Sequence, residues 1–142
     1  MSNTTDLASW LTRIWDEEER LAKKATPGPW RHDPRKHWRK PGTAWFEEAV
    51  FAGPAGKDAE CIAGTGESDD PQSIYDAAFI AALDPASVLA RIAADRAILA
   101  ECSVVLEDKT PSRVRERILA WAVLRQLASI YRNHPDWREA WQ

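Results

Sequence analysis

The chain has 142 residues, a mass of 16.0 kDa and a formal charge of -3, with 44% hydrophobic and 29% charged side chains. These proportions are globular and exclude disorder and fibrous repeats, and a chain of this length can hide roughly 70% of its unfolded surface without disulfides or metal. The near-balanced charge argues against a general polyanion binder, and the longest apolar runs, such as residues 77–83, are too short to cross a bilayer.

Leu7, Leu11, Ile14, Leu21 and Ala25 recur every three or four positions, with Glu17, Glu18, Glu19, Lys23 and Lys24 on the other face, which predicts an amphipathic helix beginning near Thr5 or Asp6. Pro27 and Pro29 in the run Ala25-Thr26-Pro27-Gly28-Pro29-Trp30 must end it, and Pro27-Gly28 suits the centre of a type II turn. Across residues 30–65 the helical period disappears. Residues 44–52 and 58–63 read as strands of a β-hairpin joined by Gly53-Pro54-Ala55-Gly56, and Trp30 is a candidate start for a third strand.

Beyond residue 66 the pattern is helical. Asp70-Pro71, Asp84-Pro85 and Thr110-Pro111 each offer a capping side chain followed by a proline in the first turn, where its missing amide costs nothing. The first of these helices is apolar almost all round (Ile74, Ala77, Ala78, Phe79, Ile80, Ala81), which predicts burial. The second carries a seam of Val88, Ile92, Leu99, Cys102 and Leu106. The third carries Val114, Ile118, Trp121, Leu124, Ala128 and Tyr131. Asn133-His134-Pro135 ends it with Asn133 in a left-handed cap, and Trp137 and Trp141 follow in a terminal turn. The expected fold is therefore a single α+β domain over residues 1–142. It comprises an amino-terminal helix (1–26), a small antiparallel hairpin or three-stranded sheet (27–66) and a helical region (67–142) that ends in an antiparallel helical hairpin.

Local charge and tryptophan usage stand out. Five basic side chains against Asp33 give residues 31–46 a charge of +4, whereas seven acids against Lys57 give residues 47–70 a charge of -6. Eight tryptophans accompany only three phenylalanines and two tyrosines. Trp30, Arg31, Arg35, Lys36, Trp38, Arg39 and Lys40 interleave indoles with cations, the combination that stacks bases and meets phosphates. These seven are the candidate ligand- or partner-binding residues. A solvated loop whose tryptophans fold back on the core has the same sequence.

Other chemistries find no pattern. Cys61 and Cys102 lie 41 positions apart outside any CxxC or CxxH spacing, so they read as packed, reduced thiols without a zinc site. His32 and His37, five apart, fall on opposite faces of an extended chain, which disfavours a shared metal, and Glu47 and Glu48 point apart on a strand. Gly64-Thr65-Gly66 has Asp69 where a dinucleotide fingerprint needs its third glycine, and its acidic neighbours would repel phosphate. There is no G-x-S-x-G elbow. No catalytic residue, metal or cofactor is expected.

Three segments carry a family resemblance: residues 25–30 (Ala-Thr-Pro-Gly-Pro-Trp), residues 76–90 (Asp76-Ala77-Ala78-Phe79-Ile80-Ala81 through Asp84-Pro85 to Ala90), and residues 134–141 (His134-Pro135-Asp136-Trp137-Arg138-Glu139-Ala140-Trp141). Together they resemble an uncharacterised family of small proteins of actinobacteria and their phages, and the first two also resemble the Ead-like early proteins of lambdoid phages. The resemblance implies a phage or prophage accessory protein and brings no catalytic residue. The first ten residues lack a basic-then-apolar leader, so the expected place of action is the bacterial cytoplasm. The expected partner is a host protein. The class alternative is a nucleotide or a single-stranded nucleic acid, for instance a nucleotide signal of host defence. No membrane partner is expected, and the sequence leaves a homo-oligomer open.

Overall fold

The computed structural model describes residues 3–53 and 59–142. In chain order it contains α1 (Asn3–Lys24), β1 (Trp38–Arg39), β2 (Phe46–Ala52), β3 (Glu60–Glu67), α2 (Pro71–Ala82), α3 (Pro85–Glu107) and α4 (Val114–Ser129). One-turn 3₁₀ segments lie at Pro111–Arg113 and Glu139–Trp141. The fold is α+β: an amino-terminal helix, a three-stranded antiparallel sheet in the order β1-β2-β3, then helices. The chain gathers into two compact units, one of Met1–Glu18 with Arg91–Gln142 and one of Glu19–Ala90. No single helix among the described residues is long and apolar enough to cross a membrane.

The helical unit is built around aromatic residues. Leu7 and Leu11 are buried as their spacing predicts, but so are Trp10 and Trp15, whereas Leu21 is exposed. Helix α1 begins at Asn3, ahead of Thr5 and Asp6. Trp10 meets Tyr131, His134 and Trp137 edge-on at ring separations of 5.7–6.1 Å, and lies tilted against Trp141 at 4.9 Å. Such edge-to-face contacts match the positive rim of one ring to the negative face of the next. Arg138 closes the cluster, with its guanidinium 5.2 Å from the Trp141 ring and 3.2 Å from the Asp6 carboxylate. From α3 and α4 the buried side chains are Ile92, Cys102, Ala120, Leu124 and Ala128.

Several seam positions differ from expectation. Val114 and Ile118 are exposed and Ala120 is buried, so the inward stripe of α4 is rotated toward small residues that let the helix approach closely. Thr110 does not cap the following turn with its side chain; Asp108 accepts from the Thr110 amide at 2.9 Å, and hydrogen bonds from the Thr110 side chain first and its amide second hold the Asp108 carboxyl below the usual range. The helix ends at Ser129. Asn133 is not left-handed, because hydrogen-bonded turns such as His134 N–H to Tyr131 C=O (2.8 Å) carry the chain onward without positive φ.

The sheet-bearing unit corrects the hairpin in three ways. The third strand is Trp38–Arg39, paired with Phe46 and Glu47, while near Trp30 there is only a single bridge between Arg31 and Phe51. Strand β3 runs past Ala63 through Gly64-Thr65-Gly66 to Glu67, with register shifts opposite Glu48/Ala49 and Val50/Phe51 that absorb the extra residues. Gly28 has no positive φ, so Pro27-Gly28 does not form a type II turn, and the Gly28–Pro29 bond is cis. Residues 54–58, which include most of the expected hairpin linker and Asp58, lie outside the described residues.

Helix α2 is capped as expected, Asp70 accepting from the Gln72 amide at 3.0 Å. It is not buried. Only Ser73 and Ala77 are fully buried, Ile74, Ile80 and Ala81 are half-buried, and Tyr75 and Phe79 are exposed. The cause is close approach to the sheet: Thr65 Oγ1 donates to the Ser73 carbonyl at 2.7 Å, and a Cβ at Gly66, whose φ is +134°, would collide with Ser73 Oγ. Small residues fill the closest approach, and the two aromatic rings are turned outward.

Candidate functional site

The Trp30–Lys40 residues do not form one surface. Arg31 bridges Phe51 through both backbone groups (2.8 and 2.9 Å), and its guanidinium donates to the Gly53 carbonyl. Arg35 folds back on Asp33, Nε to Oδ1 at 3.1 Å and Nη2 to Oδ2 at 3.2 Å, which lowers the Asp33 carboxyl pKa and raises that of the Arg35 guanidinium. Lys36 Nζ stands 4.7 Å above the Phe51 ring. Trp38 is half-buried against β3, where a Cβ at Gly64 would come within 3.3 Å of its ring. Lys40 Nζ reaches Glu47 at 3.8 Å. Most of the local positive charge is thus answered within the chain.

Between these residues lies a cluster that the spacing argument missed. Glu48 is fully buried on β2, with His32 Nε2 2.7 Å from Oε2 and His37 Nε2 3.2 Å from Oε1. The histidines reach the same carboxylate because residues 32–37 are not extended. Asp33 Oδ1 accepts from the Arg35 amide and the Lys36 amide returns to the Asp33 carbonyl at 2.9 Å, a turn that brings His37 back toward His32. Glu47 points the other way, toward Lys40, as strand alternation predicts. A buried carboxylate needs such partners, and an acid directly preceding the apolar run 49–52 was the available signal. Neither imidazole is hydrogen-bonded to a thiol or hydroxyl among the described residues, and no set of three ligating side chains there is arranged around a metal ion. The cluster fastens the 31–37 turn to β2.

Past the turn, Arg39, Lys40, Trp45 and Phe46 are all exposed. Arg39 pairs with Phe46 across the β1–β2 ladder, and the Lys40 amide donates to the Trp45 carbonyl at 3.2 Å. Trp45 is 66% exposed and Phe46 is exposed beside it. The Arg39 guanidinium is exposed, with Nε 3.3 Å from the Thr43 carbonyl. This tip carries two exposed aromatic side chains and the exposed Arg39, with Lys40 beside Glu47. Arg39 and Lys40 were legible as candidates from the basic run; Trp45 and Phe46 were not, because exposure has no local sequence signature.

Trp30 belongs to a different construction. Its indole Nε1 donates to the Thr26 carbonyl at 2.8 Å, and its amide faces Asp84 Oδ2 at 3.4 Å. Asp84 also caps α3, Oδ1 accepting from the Ser87 amide at 2.8 Å. These amide donors, Ser87 first, hold the Asp84 carboxyl below the ordinary carboxylate range. Gly28 is required there, since a Cβ would come within 2.7 Å of Asp84 Oδ2. The Thr-Pro-Gly-Pro-Trp segment and the Asp84-Pro85 corner are therefore one clasp.

The model of a family of unknown function, DUF6221, matches residues 4–142. The chain belongs to that family. No curated protein and no solved structure matches the chain. Residues 25–30, 76–90 and 134–141 of this DUF6221 chain have architectural geometry: the first two form the Asp84 clasp, and the third supplies Trp137 and Trp141 to the Trp10 cluster. The Arg39–Phe46 tip lies outside all three.

Proposed function

We propose that the chain is a non-enzymatic accessory protein of a phage or prophage that acts in the bacterial cytoplasm by binding a host protein through the Arg39–Phe46 tip. The observation that carries this reading is Trp45, a large indole 66% exposed at the open end of the β1–β2 ladder, next in sequence to the exposed Phe46. Trp and Arg are the residue types that dominate protein interfaces when desolvated. The phage context rests on the resemblance of residues 25–30 and 76–90 to Ead-like early proteins.

A nucleotide or a single strand is the second reading, favoured by the exposed indole and the exposed Arg39 on the same tip. It is weaker because Arg31, Arg35 and Lys40 already meet carbonyl or carboxylate oxygens, and Glu47 stands beside Lys40. Fewer free cations leave a smaller counterion-release term.

The test compares wild type with Trp45→Ala, each purified from bacterial cytosol and weighed intact by native mass spectrometry. A stoichiometric host protein held by wild type and lost from Trp45→Ala is the expected result. Titration with a nucleotide panel and a short single strand at low and high salt provides the other arm. Salt-steep tryptophan quenching that Trp45→Ala abolishes, with no protein retained, overturns the host-protein reading.

A further inference from the structure

Helix α2 turns its small residues to the sheet and its large ones to solvent. Ser73 and Ala77 are buried, while Tyr75 is 70% exposed, Phe79 67% and Leu83 52%. These three lie four residues apart, so they form one ridge that runs along the helix and onto its carboxy-terminal cap. Contiguous apolar side chains in water mark a surface that another molecule covers. A row of side chains spaced by four is also the shape that settles between the rows of a second helix.

Charge identifies the partner. Asp76 is the only charged residue of α2 and is exposed beside Tyr75, and the exposed Asp69 and Asp70 stand at the amino end of the helix. Within the chain these acids find only neutral donors. Asp70 accepts from the Gln72 amide at 3.0 Å and Asp76 from the Gln72 carboxamide at 2.9 Å, and no cation meets any of the three among the described residues. Residues 60–90 contain no Lys or Arg. An apolar ridge with uncompensated acids at one end repels phosphate backbones and anionic lipid and attracts a positively charged segment. We propose that the outer face of α2 docks a basic amphipathic helix of another protein, whose apolar side chains lie on Tyr75, Phe79 and Leu83 and whose Lys or Arg residues meet Asp69, Asp70 and Asp76. This surface is opposite in charge to Arg39 and Lys40 of the tip, so the two suit different partners.

The probe is a synthetic amphipathic peptide of about 18 residues, leucine along one face and lysine elsewhere, with a counterpart that carries glutamate in place of lysine. Fluorescence anisotropy of the labelled peptides with the full chain should show binding of the lysine peptide and none of the glutamate peptide. Phe79→Ser should weaken that binding about tenfold or more, with the melting curve unchanged because the ring is already in water. Asp69→Lys combined with Asp76→Lys should reverse the preference in favour of the glutamate peptide. That reversal remains decisive if Phe79→Ser misfolds. Trp45→Ala should leave peptide affinity unchanged, which separates failure of this surface from failure of the tip. A lysine peptide that does not bind at about 100 μM overturns the proposal. So does binding that Phe79→Ser leaves intact, a charge swap without reversal, or binding lost in Trp45→Ala. Co-sedimentation of the chain with phosphatidylcholine vesicles that Phe79→Ser abolishes overturns it in favour of a lipid surface.

Discussion

In the helical unit Trp10, Trp15 and Trp141 are almost completely buried, and Trp10 touches four other rings. In the sheet-bearing unit Trp38 is half-buried and Trp45 stands in solvent. One residue type, present eight times, thus has two physical roles. The difference follows from the neighbours. A helix of 22 residues presents whole turns of side chains to others, so an indole on its inner face is enclosed. A tip built on the two-residue strand β1 leaves the Trp45 indole 66% exposed. Indole count therefore says little about function until each ring has been placed.

The sharpest way to break this comparison is to remove a ring from the first group. Trp10→Ala should cost about 3–5 kcal/mol, the range for deleting a buried aromatic side chain. Denaturant unfolding measures it. A loss under about 1 kcal/mol would mean that the cluster is surface packing and that the two groups of tryptophans do not differ in kind.

Within the sheet-bearing unit the same contrast is drawn by two adjacent acids. Glu48→Ala leaves His32 without its hydrogen-bond partner and His37 without the carboxylate beside it, and opens a hole in a buried layer, for an expected loss of about 3 kcal/mol. Glu47→Ala breaks only the partly exposed contact to Lys40, so about 0.5 kcal/mol or less is expected. Equal effects in thermal melts would show that Glu48 is no more enclosed than its neighbour.

These pairs also mark what the sequence could reveal. Element order, the Asp70 and Asp84 caps and the strand alternation of Glu47 and Glu48 were legible because each depends on local chemistry: a proline after a capping acid, or a period of two. The inward faces were harder. The apolar run of α2 predicts burial, but the hydroxyl of Thr65 and the missing side chain of Gly66 brought that helix close to the sheet, and the small Ser73 and Ala77 fill the closest approach. The His32–Glu48–His37 cluster was hidden for a similar reason. Opposite faces hold for an extended chain, and one Asp33-centred turn cancels them. Among the candidate residues, the basic run includes Arg39 and Lys40, which the fold leaves exposed. It could not separate them from Arg31 and Arg35, whose partners Gly53 and Asp33 are set by the fold.

A smaller effect is expected at the clasp. Asp84→Ala removes a helix cap and should cost about 0.5–2 kcal/mol. The pH dependence has a definite sign. The Asp84 carboxyl is held below its ordinary value in the folded chain, so its contribution is complete above the unfolded pKa of about 3.9 and is lost as pH falls toward the folded value. Asp84→Asn keeps an acceptor for the Ser87 amide but cannot titrate. Wild type should lose stability relative to that variant below about pH 4, and parallel curves would remove Asp84 from the acid response.

The least effect on stability is expected where the effect on binding is greatest. Trp45→Ala deletes a ring already in water at the end of a short ladder, so its melting midpoint should stay within about 0.5 kcal/mol of wild type. Trp38→Ala, from the adjoining strand, should cost more because its ring covers the Gly64 stretch of β3. The two variants then separate an anchor from a support. If Trp45 is the anchor, its removal abolishes host-protein retention without moving the melting curve, whereas Trp38→Ala lowers both together. Should Trp45→Ala instead destabilise the fold as much as Trp38→Ala does, its indole is part of the sheet's packing, and the contrast between enclosed and presented tryptophans collapses at the one ring on which the proposed interface depends.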